Sequence, residues 1–253
     1  VSVIGQGTWN LSGKEAVAAL REGIELGLTH IDTAEMYGTE ELVAQAIEGR
    51  RDEVFLVSKL LPSNASRRGT VKACEQSLAQ LSTDRLDCYL LHWPGSHPLE
   101  DTVAGFEELL RAGKIRAYGV SNFDEELLAT AVGIAGPGKI ACNQVLYNLE
   151  ERHVEAGVLP ACREHGVALV GYSPFAGADD AGELAAVARE LDATPRQVAL
   201  AFLTRLPDTF AIPKASRVAH VRENAKRVKL SAAQVKRLEK AYPLRVRAEL
   251  PTA

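Results

Sequence analysis

Cysteine is scarce in this chain. The 253 residues hold four, Cys74, Cys88, Cys142 and Cys162, with no C-x-x-C pair and no neighbouring histidine at metal-ligand spacing. That excludes a disulfide-framed scaffold and a sequence-evident zinc site, so no metal is expected. Cys88 and Cys142 fall at strand positions and read as small buried hydrophobes, which fits a reducing cytoplasm. Long apolar runs are missing as well. None approaches the roughly 18 residues of a membrane span, and the amino terminus lacks a basic-then-apolar signal pattern, so no membrane association is expected. Charge of one sign is never blocked: the formal charge is −4 with acids and bases interspersed, which offers no basic field to a nucleic-acid backbone. The Lys/Arg-rich stretch from Arg222 to Arg237 has helical spacing and reads as a solvated face. Internal repeats and low-complexity segments are absent too. The chain opens on a strand-like Val1-Ser2-Val3-Ile4, so a few native residues are expected before it.

Apolar residues make up 46% and charged residues 25%, enough for a sizeable core. The length suits two small domains or one large one, and the order of elements decides for one, residues 1–253. Short β-branched or apolar runs alternate with longer segments of helical period, the pattern of repeated βα units on a parallel sheet. Strands are predicted near 3–7, 29–33, 53–58, 86–91, 115–120, 140–145, 167–172 and 209–213. Helices are predicted near 13–26, 40–48, 67–81, 101–112, 124–132, 155–165, 183–191 with 195–205, and 218–226. Eight such units with short links fit a closed (β/α)8 barrel, an α/β TIM barrel, better than the alternative open doubly wound sheet. Ser12 with Glu15, Thr194 with Gln197 and Ser231 with Gln234 predict capped helix starts. The last opens an extra C-terminal helix, 231 to about 241, whose Val235, Leu238 and Tyr242 should pack on the outside of the barrel.

One stretch organises the rest: His30-Ile31-Asp32-Thr33-Ala34-Glu35-Met36-Tyr37-Gly38. Asp32 ends one apolar strand, Lys59 the next and His92 the one after, and Tyr37 follows Asp32 on a glycine-flanked loop. Taken singly, each has an ordinary structural use as a cap, a paired lysine or a packed ring. In a barrel the strand ends share one mouth, so the four converge. Together they suit a phenol made acidic enough to give a proton to a carbonyl oxygen. A Lys ammonium about 4 Å from the phenol is worth on the order of 4 kcal/mol at an effective dielectric of about 20. That would lower the Tyr37 pKa by roughly two or three units, with Asp32 facing the Lys and His92 orienting the carbonyl.

Other strand ends are polar too. Gly5-Gln6-Gly7-Thr8-Trp9 permits close backbone approach and offers an aromatic wall. Ser121-Asn122, Asn143-Gln144 and Tyr172-Ser173-Pro174 would suit a flat heteroaromatic amide, through stacking and hydrogen bonds to its carboxamide. Ile212-Pro213-Lys214-Ala215-Ser216-Arg217 sets cations and hydroxyls before a helix, as a phosphate anchor would.

With these motifs in family order over nearly the whole chain, the sequence closely resembles the aldo-keto reductase family. The matching runs are Asp32-Thr33-Ala34-x-x-Tyr37-Gly38, Val57-Ser58-Lys59, Leu91-His92-Trp93-Pro94, Gly113 to Phe123, Asn143-Gln144-Val145-x-Tyr147, Tyr172-Ser173-Pro174 and Ile212-Pro213-Lys214. The resemblance implies a barrel that binds NADPH and passes hydride to a carbonyl, with Tyr37 as general acid beside Asp32, Lys59 and His92. It implies Gly7, Thr8, Asp32, Ser121, Asn122, Gln144, Tyr172 and Ser173 on the cofactor side. Lys214 and Ser216 would hold the adenosine 2′-phosphate, Glu223 and Asn224 the adenine, and Trp9 and Trp93 would wall the substrate pocket.

The chain departs from the family in four places. The amino-terminal hairpin that plugs the barrel base is missing as the chain stands, so either a trimmed chain or a base closed in another way is expected. His220 stands where many members have Arg, which weakens the preference for NADPH over NADH and leaves Arg217 and Arg222 as candidates to replace it. The loop Phe175 to Gly182 is short, predicting faster cofactor exchange, and a short tail after Pro243 predicts an open pocket. His220 within Lys214-Ala215-x-x-x-Ala219-His220-Val221 resembles a bacterial branch acting on methylglyoxal and other small or aromatic aldehydes. The expected partner is therefore a small carbonyl compound and the expected state a monomer. Two alternatives stand beside the reductase. One is a cofactor-binding redox sensor with little turnover; the other is a metal-dependent barrel hydrolase using Lys59, His92 and Asp32, which lacks the expected H-x-H pair.

Overall fold

The computed structural model describes residues 1–179, 181–247 and 250. Eight strands run parallel in sequence order: β1 (Gln6–Gly7), β2 (His30–Asp32), β3 (Phe55–Leu60), β4 (Cys88–Leu91), β5 (Tyr118–Ser121), β6 (Ile140–Leu146), β7 (Ala168–Tyr172) and β8 (Thr209–Ala211). Between them lie α1 (Gly13–Glu25), α2 (Glu40–Ile47), α3 (Arg67–Gln80), α4 (Leu99–Arg111), α5 (Glu125–Ala135), α6 (Val158–Glu164), and the pair α7 (Gly182–Glu190) and α8 (Pro195–Leu203). After β8 come α9 (Val218–Ala225) and α10 (Ala232–Ala241). The two ends of the strand order also meet. Ile4 bridges Ala211 and Gly7 bridges Lys214, both in parallel, and the Gly5 N–H donates to Ala211 O at 2.8 Å.

Several strands start later than their apolar runs. β3 begins at Phe55 because Arg51–Glu53 close a 3-10 turn, and it runs on to Leu60, so Lys59 is the last residue but one of the strand. β5 begins at Tyr118, with Ile115 making only one bridge to Leu86. β1 is two residues long, since Ile4 and Gly5 pair with Ala211 instead. The predicted helix 155–165 splits into a turn at His153–Glu155 and the shorter α6.

Caps at Thr194 and Ser231 form the expected boxes with Gln197 and Gln234. Ser12 does not cap α1: Gly13 enters the helix at φ 77, outside the geometry in which the Ser12 hydroxyl could reach a first-turn N–H. α10 buries Leu238 completely and packs Val235 and Tyr242 against the core, while Arg237 pairs with Glu183 and Glu190 of α7 at 2.5 and 2.7 Å.

Strand residues alternate between two cores. Tyr89 and Leu91 of β4 face the helices, where Phe106 of α4 lies 5.9 Å from the Tyr89 ring and stacks 5.1 Å from Tyr118. Cys88 and Leu90 face the other way and cluster with Val57, Phe55, Ala117, Ala141 and Cys142. Gly119 keeps that inner layer tight, because a Cβ there would lie 2.5 Å from Cys142 O. All four cysteines are free, and burial pushes the Cys74 and Cys162 thiols up to about 12, so they pack as inert hydrophobes.

His30 follows the inner parity beneath Asp32, edge-on to Phe55 at 5.8 Å. Burial lowers it to about 4, against the pull of Asp32. The native state thus binds fewer protons than the unfolded chain once the pH falls below about 6.5, and acidification favours unfolding. Between pH 7 and 4 this costs on the order of 3 kcal/mol. Urea midpoints measured across that range should fall, and should fall less in His30→Leu. Equal slopes in the two proteins would refute the assignment.

Candidate active site

The inner parity that carries Val57, Cys88 and Leu90 also carries Lys59 and His92, and Asp32 pairs in register with Val57. Three polar side chains therefore crown the inner layer at the carboxyl ends of β2, β3 and β4. Lys59 Nζ donates to Asp32 Oδ1 at 2.5 Å and to Thr33 O at 2.8 Å. It also donates to the Tyr37 hydroxyl at 3.4 Å. His92 Nε2 lies 3.4 Å from the same hydroxyl. Lys59 and His92 thus meet at the Tyr37 oxygen, and Asp32 stands behind Lys59, so the four residues picked from the sequence are brought together.

Their supports come from further along the chain. Gln144 on β6 donates its amide to Asp32 Oδ2 at 2.7 Å, so both carboxylate oxygens are held. Thr8 is fully buried, and its N–H and hydroxyl both donate to Asp32 O at 3.0 Å. The Thr8, Thr39 and Thr33 hydroxyls form a relay with 3.0 Å links that fixes both ends of the Tyr37 loop. Gly7 is required by the backbone passing over it, since a Cβ would meet Ile212 O at 2.7 Å. Gly7 and Thr8, expected on the cofactor side, thus have a structural use of their own. Thr39 and Glu40 have no place in the sequence reading, and Thr33 and Glu35 enter it only as members of the Asp32 stretch with no role assigned, because they look like ordinary turn and helix-start residues.

A second set of hydrogen bonds crosses the ends of β4 to β7. Ser121 Oγ donates to Gln144 O at 2.7 Å, Asn122 Nδ2 donates to His92 O at 3.1 Å, and Tyr172 OH donates to Asn122 Oδ1 at 2.9 Å. Asn122 and Ser173 hold φ of 60 and 52, left-handed values that turn the chain sharply at these strand ends. Trp9 meets the Tyr37 ring edge-on at 4.8 Å and Trp93 leans on His92 at 4.8 Å. Both tryptophans, with Met36, are exposed and form an apolar rim.

Beyond β8, Lys214 is exposed beside Gly7 and Ser216 is half-buried. Glu223 is already engaged: its Oε1 accepts from Thr194 Oγ1 at 2.6 Å and its carbonyl from Gln197 Nε2 at 3.0 Å. Asn224 beside it is buried. Of the two arginines that could replace a guanidinium at His220, Arg222 is paired to Glu22 at 2.7 Å, whereas the exposed Arg217 makes no side-chain hydrogen bond among the described residues. Asp180 of the Phe175 to Gly182 loop, and residues 248, 249 and 251–253 of the tail, lie outside the described residues.

The profile of the aldo/keto reductase family matches residues 3–243. The chain belongs to the aldo/keto reductase family. It is 45% identical to methylglyoxal reductase YeaE of Escherichia coli, over 95% of this chain and 90% of that protein. It is 31% identical to methylglyoxal reductase DkgB of Yersinia pestis, over 93% and 91%. An aldo-keto reductase from Klebsiella pneumoniae, crystallised in complex with NADPH, superposes with a TM-score of 0.95 at 42% identity, covering 100% of this chain and 95% of that one.

The electrostatics of this aldo/keto reductase correct one expectation. Tyr37 is raised above its ordinary value near 10, not lowered: burial raises it most, Lys59 opposes, and Asp32 reinforces the rise. Desolvation of the phenol outweighs the ammonium, and Asp32, 2.5 Å from Lys59, takes back part of what that cation gives. Burial works to lower Lys59, but Asp32 and Tyr37 outweigh it and the net change is upward, so the ammonium persists. An ammonium has no lone pair for a metal, and among the described residues no three His, Cys, Asp or Glu side chains gather as a metal site. Burial, then Lys59, lowers His92 to about 3, so its imidazole is neutral at physiological pH.

Proposed function

We propose that this chain is an NADPH-dependent carbonyl reductase that turns small or aromatic aldehydes such as methylglyoxal into alcohols, with Tyr37 as the general acid. One observation carries the reading: a half-buried, protonated phenol whose oxygen has a lysine ammonium and a neutral imidazole each at 3.4 Å. The names of the relatives support the substrate class. The bridges from Ile4 and Gly7 to the β8 side support closure into one (β/α)8 barrel domain. Free thiols fit the cytoplasm, and no helix among the described residues is long and apolar enough to cross a membrane. The working form is read as a monomer.

The residues present fit the cofactor. Gln144 Oε1 makes no hydrogen bond among the described residues and can accept from a carboxamide, with Ser121 and Asn122 beside it and the Tyr172 ring as a platform. Lys214 and Ser216, with Arg217, would receive the 2′-phosphate, and Glu223 and Asn224 the adenine. NADPH, when bound, supplies hydride to the carbonyl carbon. Tyr37 gives its hydroxyl proton to the carbonyl oxygen as charge develops there. Lys59, at 3.4 Å, then favours the phenolate by on the order of 5 kcal/mol at an effective dielectric of about 20, before Asp32 subtracts its share. Neutral His92 orients the oxygen, and Trp9 and Trp93 exclude water from its apolar side.

Fluorescence titration with NADPH and NADH, followed by a panel containing methylglyoxal, a benzaldehyde, a ketone and a sugar aldehyde, tests the reading. Cofactor oxidation on adding an aldehyde is the expected result. Tight binding with no turnover on any carbonyl would instead support a redox sensor. Lys214→Ala should raise the NADPH Kd roughly 10–100-fold, the worth of a charge-assisted contact, and barely change that of NADH. Equal losses for both cofactors would refute the phosphate anchor.

A further inference from the structure

Tyr37 rides on a short loop, residues 33–39, between the end of β2 and the start of α2. Two carboxylates bracket it. On one side Glu35 accepts from the Leu61 backbone N–H, and both its oxygens accept from Asn64 Nδ2, at 3.0 and 3.2 Å. On the other side Glu40, 1% exposed, accepts from the Ser58 hydroxyl at 2.7 Å. Ser58 and Leu61 in turn bracket Lys59. The segment that carries the phenol, from the loop to the first residue of α2, and the segment that carries the ammonium, from Ser58 to Leu61, are therefore joined at two points, before and after Tyr37 in the chain.

Glu40 is a costly choice for helix-start chemistry alone. Asp or Glu in a first helical turn serves well when exposed, and burial here pushes the Glu40 carboxyl up against the Ser58 hydroxyl. Leu or Ala would pack between α2 and β3 without that cost. A buried carboxylate aimed at the residue next to Lys59 is explained by what it holds in place. The spacing is matched as well: Glu35-x-Tyr37-x-x-Glu40, running from the loop into the first residue of α2, faces Ser58-Lys59-x-Leu61 at the end of β3.

We propose that Glu35 and Glu40 form a two-point clamp that sets the distance between the Tyr37 hydroxyl and Lys59, acting as positioning residues for proton transfer. This rests on the reading of Tyr37 as the proton donor. Misplacing a reacting group by about 1 Å costs on the order of 10²-fold in rate, and the Glu35→Ala/Glu40→Ala double variant should lose kcat by about that factor. KM for the aldehyde and the NADPH Kd from fluorescence should stay nearly constant. Glu35→Gln and Glu40→Gln should recover most of the rate, because the amide oxygen can accept the same N–H and hydroxyl donors.

The deciding measurement places the clamp substitutions in a Tyr37→Phe background. If they act through Tyr37, they remove little of the residual rate there, whereas independent structural damage would multiply with it. Retained kcat with only a lowered Tm, or losses that multiply, would overturn the clamp. Should Glu40→Ala fail to fold, the half-buried Glu35→Ala carries the test and must by itself lower kcat by about tenfold, a part of the same misplacement. Full turnover in Tyr37→Phe alone would sink the general-acid reading; a dead Tyr37→Phe beside unaffected clamp variants would sink the clamp only.

Discussion

Tyr37→Phe should lower carbonyl turnover by roughly 10²–10⁴-fold, the usual worth of a positioned proton donor. The substitution removes one oxygen and leaves the ring, so the 4.8 Å edge contact with Trp9 and the 5.5 Å contact with His92 persist. The two hydrogen bonds lost are long, 3.4 Å each, and cost little stability. NADPH affinity should hardly change, since the residues assigned to the cofactor lie elsewhere on the rim. The pH dependence sharpens the test. A phenol raised above its ordinary value stays protonated through neutral and mildly alkaline pH, so the rate of aldehyde reduction should be flat across that range. A phenol depressed by Lys59 would instead lose rate as pH rose through its lowered pKa. Full turnover in Tyr37→Phe would remove the phenol from the mechanism. A falling profile in the wild type would restore the depressed phenol that spacing alone suggested.

That contrast marks where sequence reasoning stops. The alternation of apolar runs and helical periods predicts eight βα units, because parity and period are local properties of the chain. The same parity brings Asp32, Lys59 and His92 to one mouth, because parallel strands present their carboxyl ends together. The sign of the Tyr37 shift is not local. It depends on how much solvent the loop excludes and on whether Lys59 turns first to Asp32 or to the phenol, and neither follows from spacing. Gln144 illustrates the same limit. Its motif suggests a cofactor ligand, yet its amide also reaches Asp32 from 112 residues away, a contact visible only once β6 and β2 face one another. Glu35 and Glu40 were illegible for the opposite reason. Acidic residues around a helix start are so common that nothing in the sequence separates a buried clamp from a solvated first turn.

The largest stability effects should come from breaking the Asp32–Lys59 pair. Lys59 is fully buried and Asp32 is 1% exposed, so each charge relies on the other and on a few dipoles. Asp32→Ala leaves an ammonium with only Thr33 O and the Tyr37 hydroxyl as partners, and should destabilise the protein by about 3–5 kcal/mol. Lys59→Met leaves a carboxylate held by Gln144 alone among side chains, with a similar expected loss. The double variant Asp32→Leu/Lys59→Met removes both charges and should regain most of that stability, because the desolvation cost disappears with them. Chemical denaturation of the four proteins measures this directly. Turnover should not follow stability. The double variant has no ammonium to favour the phenolate and should remain as impaired as Lys59→Met, with alcohol oxidation, which needs the phenolate, moved to higher pH in both. Recovery of activity together with stability would mean that the pair serves the fold alone. Stability regained without activity would show a buried ion pair kept for its chemistry, at a cost the fold otherwise has no reason to bear.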